Sequence, residues 1–137
     1  MTASELALEL TQLAAKAADE RSAFDLVALD VSANMPFADV FLLASGRNER
    51  MVLSIAEEIE DQLREEKDLK AKRREGTDNG RWVLIDFGDL VVHVFHEEDR
   101  VYYGLERIWA DAPVVELDVL TQAPAEDASA EDAPAED

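Results

Sequence analysis

The sequence predicts an α/β (α+β) fold, a small mixed β-sheet of about five strands with helices flanking it. Three observations carry that reading. Apolar spacing switches between the helical and the strand period to give the order helix, two strands, helix, three strands, helix. Two apolar runs flank Gly88-Asp89, a dipeptide suited to a two-residue hairpin turn. Apolar residues make up 47% of 137, which is enough for one domain with a single core.

The first helix is expected from about residue 3 to residue 21. Thr2 and Glu5 have capping-box spacing, and Leu6, Leu10, Leu13 and Ala17 mark one helical face. Residues 25–31 are short, apolar and β-like, residues 32–36 read as a loop, and residues 38–44 as a second strand. Ser45-Gly46 then punctuates the chain, and Asn48 suits the N-cap of a second helix running to about Lys67. Val52, Ile55, Ala56, Ile59 and Leu63 share its core face. Residues 69–75, with Lys70, Lys72, Arg73 and Arg74, read as an exposed edge strand whose lysines blunt edge-to-edge association. Residues 76–80 are a turn.

The hairpin register pairs Phe87 with Leu90, Asp86 with Val91 and Leu84 with His93. Alternation then puts Val83, Ile85, Phe87, Leu90, Val92 and Val94 on a wholly apolar core face. The other face is mixed: Trp82, Leu84, Asp86, Val91, His93 and Phe95. Asp86 and His93 are diagonal neighbours there, so Asp86 is expected to orient the imidazole. The third helix starts near Glu97, with Glu97, Glu98 and Asp99 at its positive end and Arg107 in its last turn. Val101, Leu105 and Ile108 form its core stripe, and Tyr102, Glu106 and Trp109 a second stripe. The domain is expected to occupy residues 1–120, followed by a disordered acidic tail, residues 121–137. The last fifteen residues are three pentads, each ending Ala-Glu-Asp, with six carboxylates, no base and no large apolar side chain.

The chain carries 32 Asp+Glu against 13 Lys+Arg, a formal net charge of −19, and remains at −13 without the pentads. Such a body is repelled by phosphate backbones, which excludes non-specific nucleic-acid binding and disfavours anionic membranes. The absence of cysteine excludes disulfides, thiol catalysis and Cys-based zinc sites. No apolar run approaches the roughly 20 residues of a membrane span. Glu5 and Glu9 stand where a signal peptide would carry bases, so a soluble cytoplasmic protein is expected.

His93 and His96 are the only histidines and point to opposite faces of one strand, so they cannot share a metal. No metal or cofactor is expected. Ser45-Gly46 before a helix could cradle a phosphate. Phosphoryl transfer would also need converging carboxylates to hold magnesium. Asp25 and Asp30 flank opposite ends of a strand, and Asp86 and Asp89 suit a turn. A magnesium-dependent nucleotidyltransferase acting at Ser45-Gly46 stays open as the alternative reading. No nucleophile elbow, P-loop or dinucleotide fingerprint is present. Trp82, Tyr102, Tyr103, Glu106 and Trp109 form either core or a protein-binding patch for a basic partner.

Three stretches resemble the ribosomal silencing factor family (Iojap-like proteins). They are Ala28-Leu29-Asp30-Val31 with Ala38-Asp39-Val40-Phe41 leading to Ser45-Gly46, then Trp82 through Gly88-Asp89 to Val94, then Arg100 through Tyr103, Leu105 and Glu106 to Trp109. The resemblance spans about residues 3–109; Met51 departs from it, where the family often has His or Gln, and the pentads lie outside it. It implies a nucleotidyltransferase-like fold without the catalytic carboxylates, and no enzymatic activity. It further implies a translation repressor that binds the large ribosomal subunit through its fourteenth ribosomal protein and blocks joining of the small subunit when nutrients are short. A homodimer when free is implied as well. On this reading Trp82 and Trp109 are the expected anchors, with Asp86, Asp89, Tyr103 and Glu106 as polar and acidic contacts to that protein.

Overall fold

Helix and strand alternate much as the apolar period dictates in the computed structural model, which describes residues 3–103 and 105–121. α1 (Glu5–Glu20) is capped by Ser4, whose Oγ accepts the Ala7 N–H at 3.1 Å. The expected cap Thr2 lies outside the described residues. The buried stripe of α1 is also rotated from the expected one, running through Ala7, Leu10, Ala14, Ala17 and Ala18 while Leu6 is exposed. Alanines on this stripe let α1 approach α2 and the sheet closely, which a leucine stripe would prevent.

β1 (Phe24–Asp30) and β2 (Val40–Gly46) pair antiparallel, with a bulge between Phe24 and Val27 where Asp25 adopts φ 52°. α2 (Glu49–Lys67) starts at Asn48, whose Oδ1 accepts the Met51 N–H at 2.9 Å, and buries Val52, Ile55, Ala56, Ile59 and Leu63 as the spacing predicts. β3 (Arg73–Glu75) is shorter than the expected strand because Leu69 and Ala71 turn inward against the core before pairing begins. It is an exposed edge strand, as anticipated. β4 (Trp82–Asp86) and β5 (Leu90–His96) form the hairpin in the predicted register, Asp86 opposite Val91 and Leu84 opposite His93.

α3 (Glu97–Tyr103) and α4 (Leu105–Ile108) lie either side of residue 104. The expected core role of Ile108 does not hold. It ends α4 with 70% of its surface exposed, because the chain turns there toward the sheet edge. The side chains of Val101, Tyr102 and Leu105 lie outside the described residues. Two elements were not anticipated, β6 (Val114–Val115) and α5 (Asp118–Thr121). β6 pairs with β1, which makes six strands in the order β3-β4-β5-β2-β1-β6 rather than five. The Gln12 side chain holds this segment to α1: its Nε2 donates to the Glu116 carbonyl, and its Oε1 accepts the Asp118 N–H, both at 2.8 Å. Leu117 between them is buried. The acidic pentads lie outside the described residues.

The central pair, β2 with β5, is parallel, and the others are antiparallel. One face of the sheet lies under α1 and α2, where Leu42, Val83, Ile85, Leu90, Val92 and Val94 are fully buried. No described helix is long and apolar enough to cross a membrane. At the far end of β4, Arg81 binds Asp99 through Nε and Nη2 at 3.1 and 2.7 Å and reaches Glu49 and Glu98. These hydrogen bonds, to Asp99 first, raise the guanidinium pKa still further and tie α2, β4 and α3 together. Arg81→Ala should lower the melting temperature, and the deficit should shrink in 1 M salt, where the three unopposed acids are screened. A deficit independent of salt would show that the network acts through packing instead.

Candidate functional site

The second sheet face carries Trp82 and Asp86 of the expected contact residues, and Trp109 packs against it. Leu29, Val31, Phe41, Leu43 and Phe95 form a small buried cluster on it, with Ala38 from the β1–β2 loop. Met35, Trp109 and Ala112 pack over the β1–β2 half. Over the hairpin half no comparable cover is found among the described residues, and Trp82, Leu84, Asp86 and Val91 are partly exposed. The result is a half-open sheet face with an aromatic residue on either side.

The aromatic geometry is specific. The Trp82 indole stacks on Phe95 with ring centroids 5.1 Å apart and planes 27° apart. Its Nε1–H donates to Nδ1 of His93 at 3.2 Å. His93 also meets Phe41 edge-on at 4.9 Å, and Trp109 meets Phe41 edge-on at 5.5 Å. Trp82, His93, Phe41 and Trp109 thus form a continuous aromatic row across three strands. Burial with no charged partner pushes the His93 imidazole pKa down to about 4, so it is neutral at physiological pH.

Asp86 does not orient His93, contrary to the diagonal pairing expected from the sequence. Its Oδ1 accepts the Gly88 N–H at 2.8 Å, because the hairpin turn leaves that donor otherwise unpaired. Asp89 projects into solvent, while its backbone carbonyl accepts from Asp39 and Val40 and fixes the β1–β2 loop against the turn. The structure therefore places Trp82, Asp86 and Asp89 along the hairpin and Trp109 across the row. The side chains of Tyr103 and Glu106 lie outside the described residues. Sequence reasoning put Phe95 on this face but missed that it and Phe41 support the aromatic row, although their face-alternating positions were the available signal.

Gly46 is closely packed against α2, and Ser45 lines an open hollow together with Phe24, Glu97 and Arg100. Ser45 is buried and its Oγ accepts from Arg100 Nη1 at 2.8 Å. A Cβ on Gly46 would lie 3.0 Å from the Val52 side chain and 3.1 Å from its backbone nitrogen. Glycine is needed there for the close approach of β2 to α2. His96, on the opposite face from His93, accepts the Glu98 N–H through Nδ1 and so supports the start of α3. Among the described residues no three metal-ligating side chains converge.

The comparisons with known proteins agree with this architecture. A family description, "Ribosomal silencing factor during starvation", matches residues 4–137. The chain is 46% identical over 109 residues to ribosomal silencing factor RsfS of Bacillus subtilis, covering 80% of this chain and 92% of that protein. It superposes on a crystal structure of a Chromobacterium violaceum protein with a TM-score of 0.72 at 32% identity, covering 74% and 84% of the two chains. A more distant relative, the mouse protein named for mitochondrial assembly of the ribosomal large subunit, is 28% identical over 95 residues, 66% of this chain and 40% of the mouse protein. With a family match over nearly its whole length and close identity to a silencing factor, the chain belongs to the ribosomal silencing factor family.

Proposed function

We propose that this protein represses translation by binding the large ribosomal subunit through its fourteenth ribosomal protein and sterically blocking the small subunit. The observation that carries the reading is the half-open hairpin face, with Trp82 and Trp109 flanking Leu84 and Val91 and with Asp86 and Asp89 at the turn end. Partly exposed aromatics on a rigid sheet, beside fixed acids, are suited to anchoring a protein partner. Two further facts support the direction of the charge. The chain's net charge of −19 repels ribosomal RNA but attracts a basic ribosomal protein, speeding encounter and fixing register. The names of its relatives concern ribosome silencing and large-subunit assembly. Tyr103 and Glu106, expected from the sequence as polar contacts, complete the proposed set.

The mechanism needs no chemistry. The rigid sheet presents its anchors already ordered, so binding loses little conformational entropy, and the bulk of the domain does the blocking. The nucleotidyltransferase alternative finds no support among the relatives, whose names concern ribosome silencing and large-subunit assembly. When free, the chain is assigned as a homodimer, with the exposed bases of β3 facing acids of a second copy.

Purified protein added to separated ribosomal subunits should lower the yield of joined ribosomes in a sucrose gradient, with no nucleotide supplied. It should co-sediment with large but not small subunits. A strict requirement for nucleotide hydrolysis, or co-sedimentation with small subunits alone, would overturn the reading.

A further inference from the structure

We propose that His93 is a positioning residue for partner docking, its Nδ1 holding the Trp82 indole in the orientation that the partner meets. The inference rests on the large-subunit reading above and names the device that keeps its main anchor in place.

The hydrogen-bonding pattern of His93 sets it apart from an ordinary core residue. Nδ1 accepts the Trp82 indole N–H at 3.2 Å, which leaves the single proton of the neutral ring on Nε2. That Nε2 has no hydrogen-bond partner among the described residues, and the whole residue is 4% exposed. A buried donor left unpaired is destabilising. Leucine would fill much the same space between Phe41 and Phe95 without that penalty. The fold thus tolerates a polar group that packing alone would not select, and the one thing this group does is engage Trp82.

The His93 acceptor supplies a constraint on Trp82 that ring stacking does not. It is only half-buried, and its stacking on Phe95 restrains the plane of the ring but not which edge faces outward. A solvent-facing indole N–H would be satisfied by water equally well in a flipped rotamer. The His93 acceptor, fixed in the middle of β5 at the level of Leu84 on β4, selects one. Asp86 lies at the opposite end of β4 from Trp82, where it accepts the Gly88 N–H, so it does not compete. An anchor whose rotamer is already selected gives up less freedom on binding.

Two substitutions separate positioning from packing. His93→Leu removes the acceptor and the unpaired donor together. It should melt at or above the wild-type temperature, yet bind isolated large subunits about three- to tenfold more weakly, the effect of one unfixed side chain. His93→Gln, whose amide oxygen can reach the indole N–H, should recover most of that affinity. In a Trp109→Phe background, where Trp82 is the only tryptophan, the fluorescence anisotropy of His93→Leu should show faster local motion than that of His93→Gln. If wild-type protein does not bind large subunits, the functional reading itself fails and this inference falls with it. If wild-type protein binds and His93→Leu binds equally well, only the inference is overturned. A His93→Leu protein that is destabilised or unfolded would show His93 to be structural, which overturns it too.

Discussion

Trp82→Ala is expected to weaken binding to isolated large subunits by roughly thirtyfold or more, a loss of about 2 kcal/mol or greater. The indole is the largest partly exposed apolar group on the hairpin face, and it stacks on Phe95 over a rigid pair of strands. Interface energy concentrates in such residues, whereas charged contacts at a wet rim typically contribute less. Sedimentation titration against purified large subunits measures the effect directly. Circular dichroism must show an intact fold, since removing the ring also uncovers Phe95. Glu65→Ala, on the exposed surface of α2 against the opposite sheet face, is the control and should leave affinity unchanged. Affinity of Trp82→Ala within twofold of wild type would remove the hairpin face from the docking surface.

The second large effect concerns stability and pH. His93 has its pKa lowered by burial from the ordinary 6.5 to about 4. Between those values the unfolded chain holds a proton on this side chain and the native chain does not. Stability therefore rises with pH through this window and is lost as pH falls from about 6.5 toward 4. The full displacement amounts to about 3 kcal/mol. The Asp30 carboxyl acts lower down: burial raises its pKa, but hydrogen bonds from Ser32 and Ala3 outweigh that, so its stabilisation is lost only as pH falls through the ordinary carboxylate range and below. Glu60, raised by burial, works in the opposite sense, favouring the native state at low pH. Denaturant titrations of wild type and His93→Leu at pH 7 and pH 5 isolate the imidazole. Wild type should lose one to a few kcal/mol more than the variant on acidification. Equal losses would place the acid sensitivity elsewhere.

Legibility from sequence followed the strength of local rules. The hairpin register could be read because the two-residue turn at Gly88-Asp89 fixes pairing, and strict alternation then assigns every side chain to a face. α2 could be read because five apolar residues at helical spacing follow an Asn cap. β6 could not, because Val114–Val115 is too short to show a period and is held by pairing to β1 rather than by its own pattern. The rotation of the α1 stripe escaped notice for a different reason: alanine scores as weakly apolar, yet close helix approach favours it over leucine. The His93 partner was misread because both Asp86 and Trp82 are diagonal to it, and only the turn geometry shows that the carboxylate is already engaged. For the site, face membership of Trp82 and Asp86 was readable; which of the face residues would be left uncovered was not, since that depends on where Trp109 and the β1–β2 loop come to rest.

The parallel pairing at the centre of the sheet has a consequence for how the chain reaches its native state. Val40 lies opposite Leu90, so closing this ladder joins residues separated by roughly fifty positions. The β1–β2 and β4–β5 ladders are local and can form early, but neither buries its apolar face alone. The two halves are committed only when β2 meets β5, with α2 sealing the intervening connection. Contacts this distant make the ordering entropy fall due before its compensation, which slows folding relative to local ladders. Leu42 and Val92, opposite each other in it, are the positions where truncation should slow refolding more than it hastens unfolding.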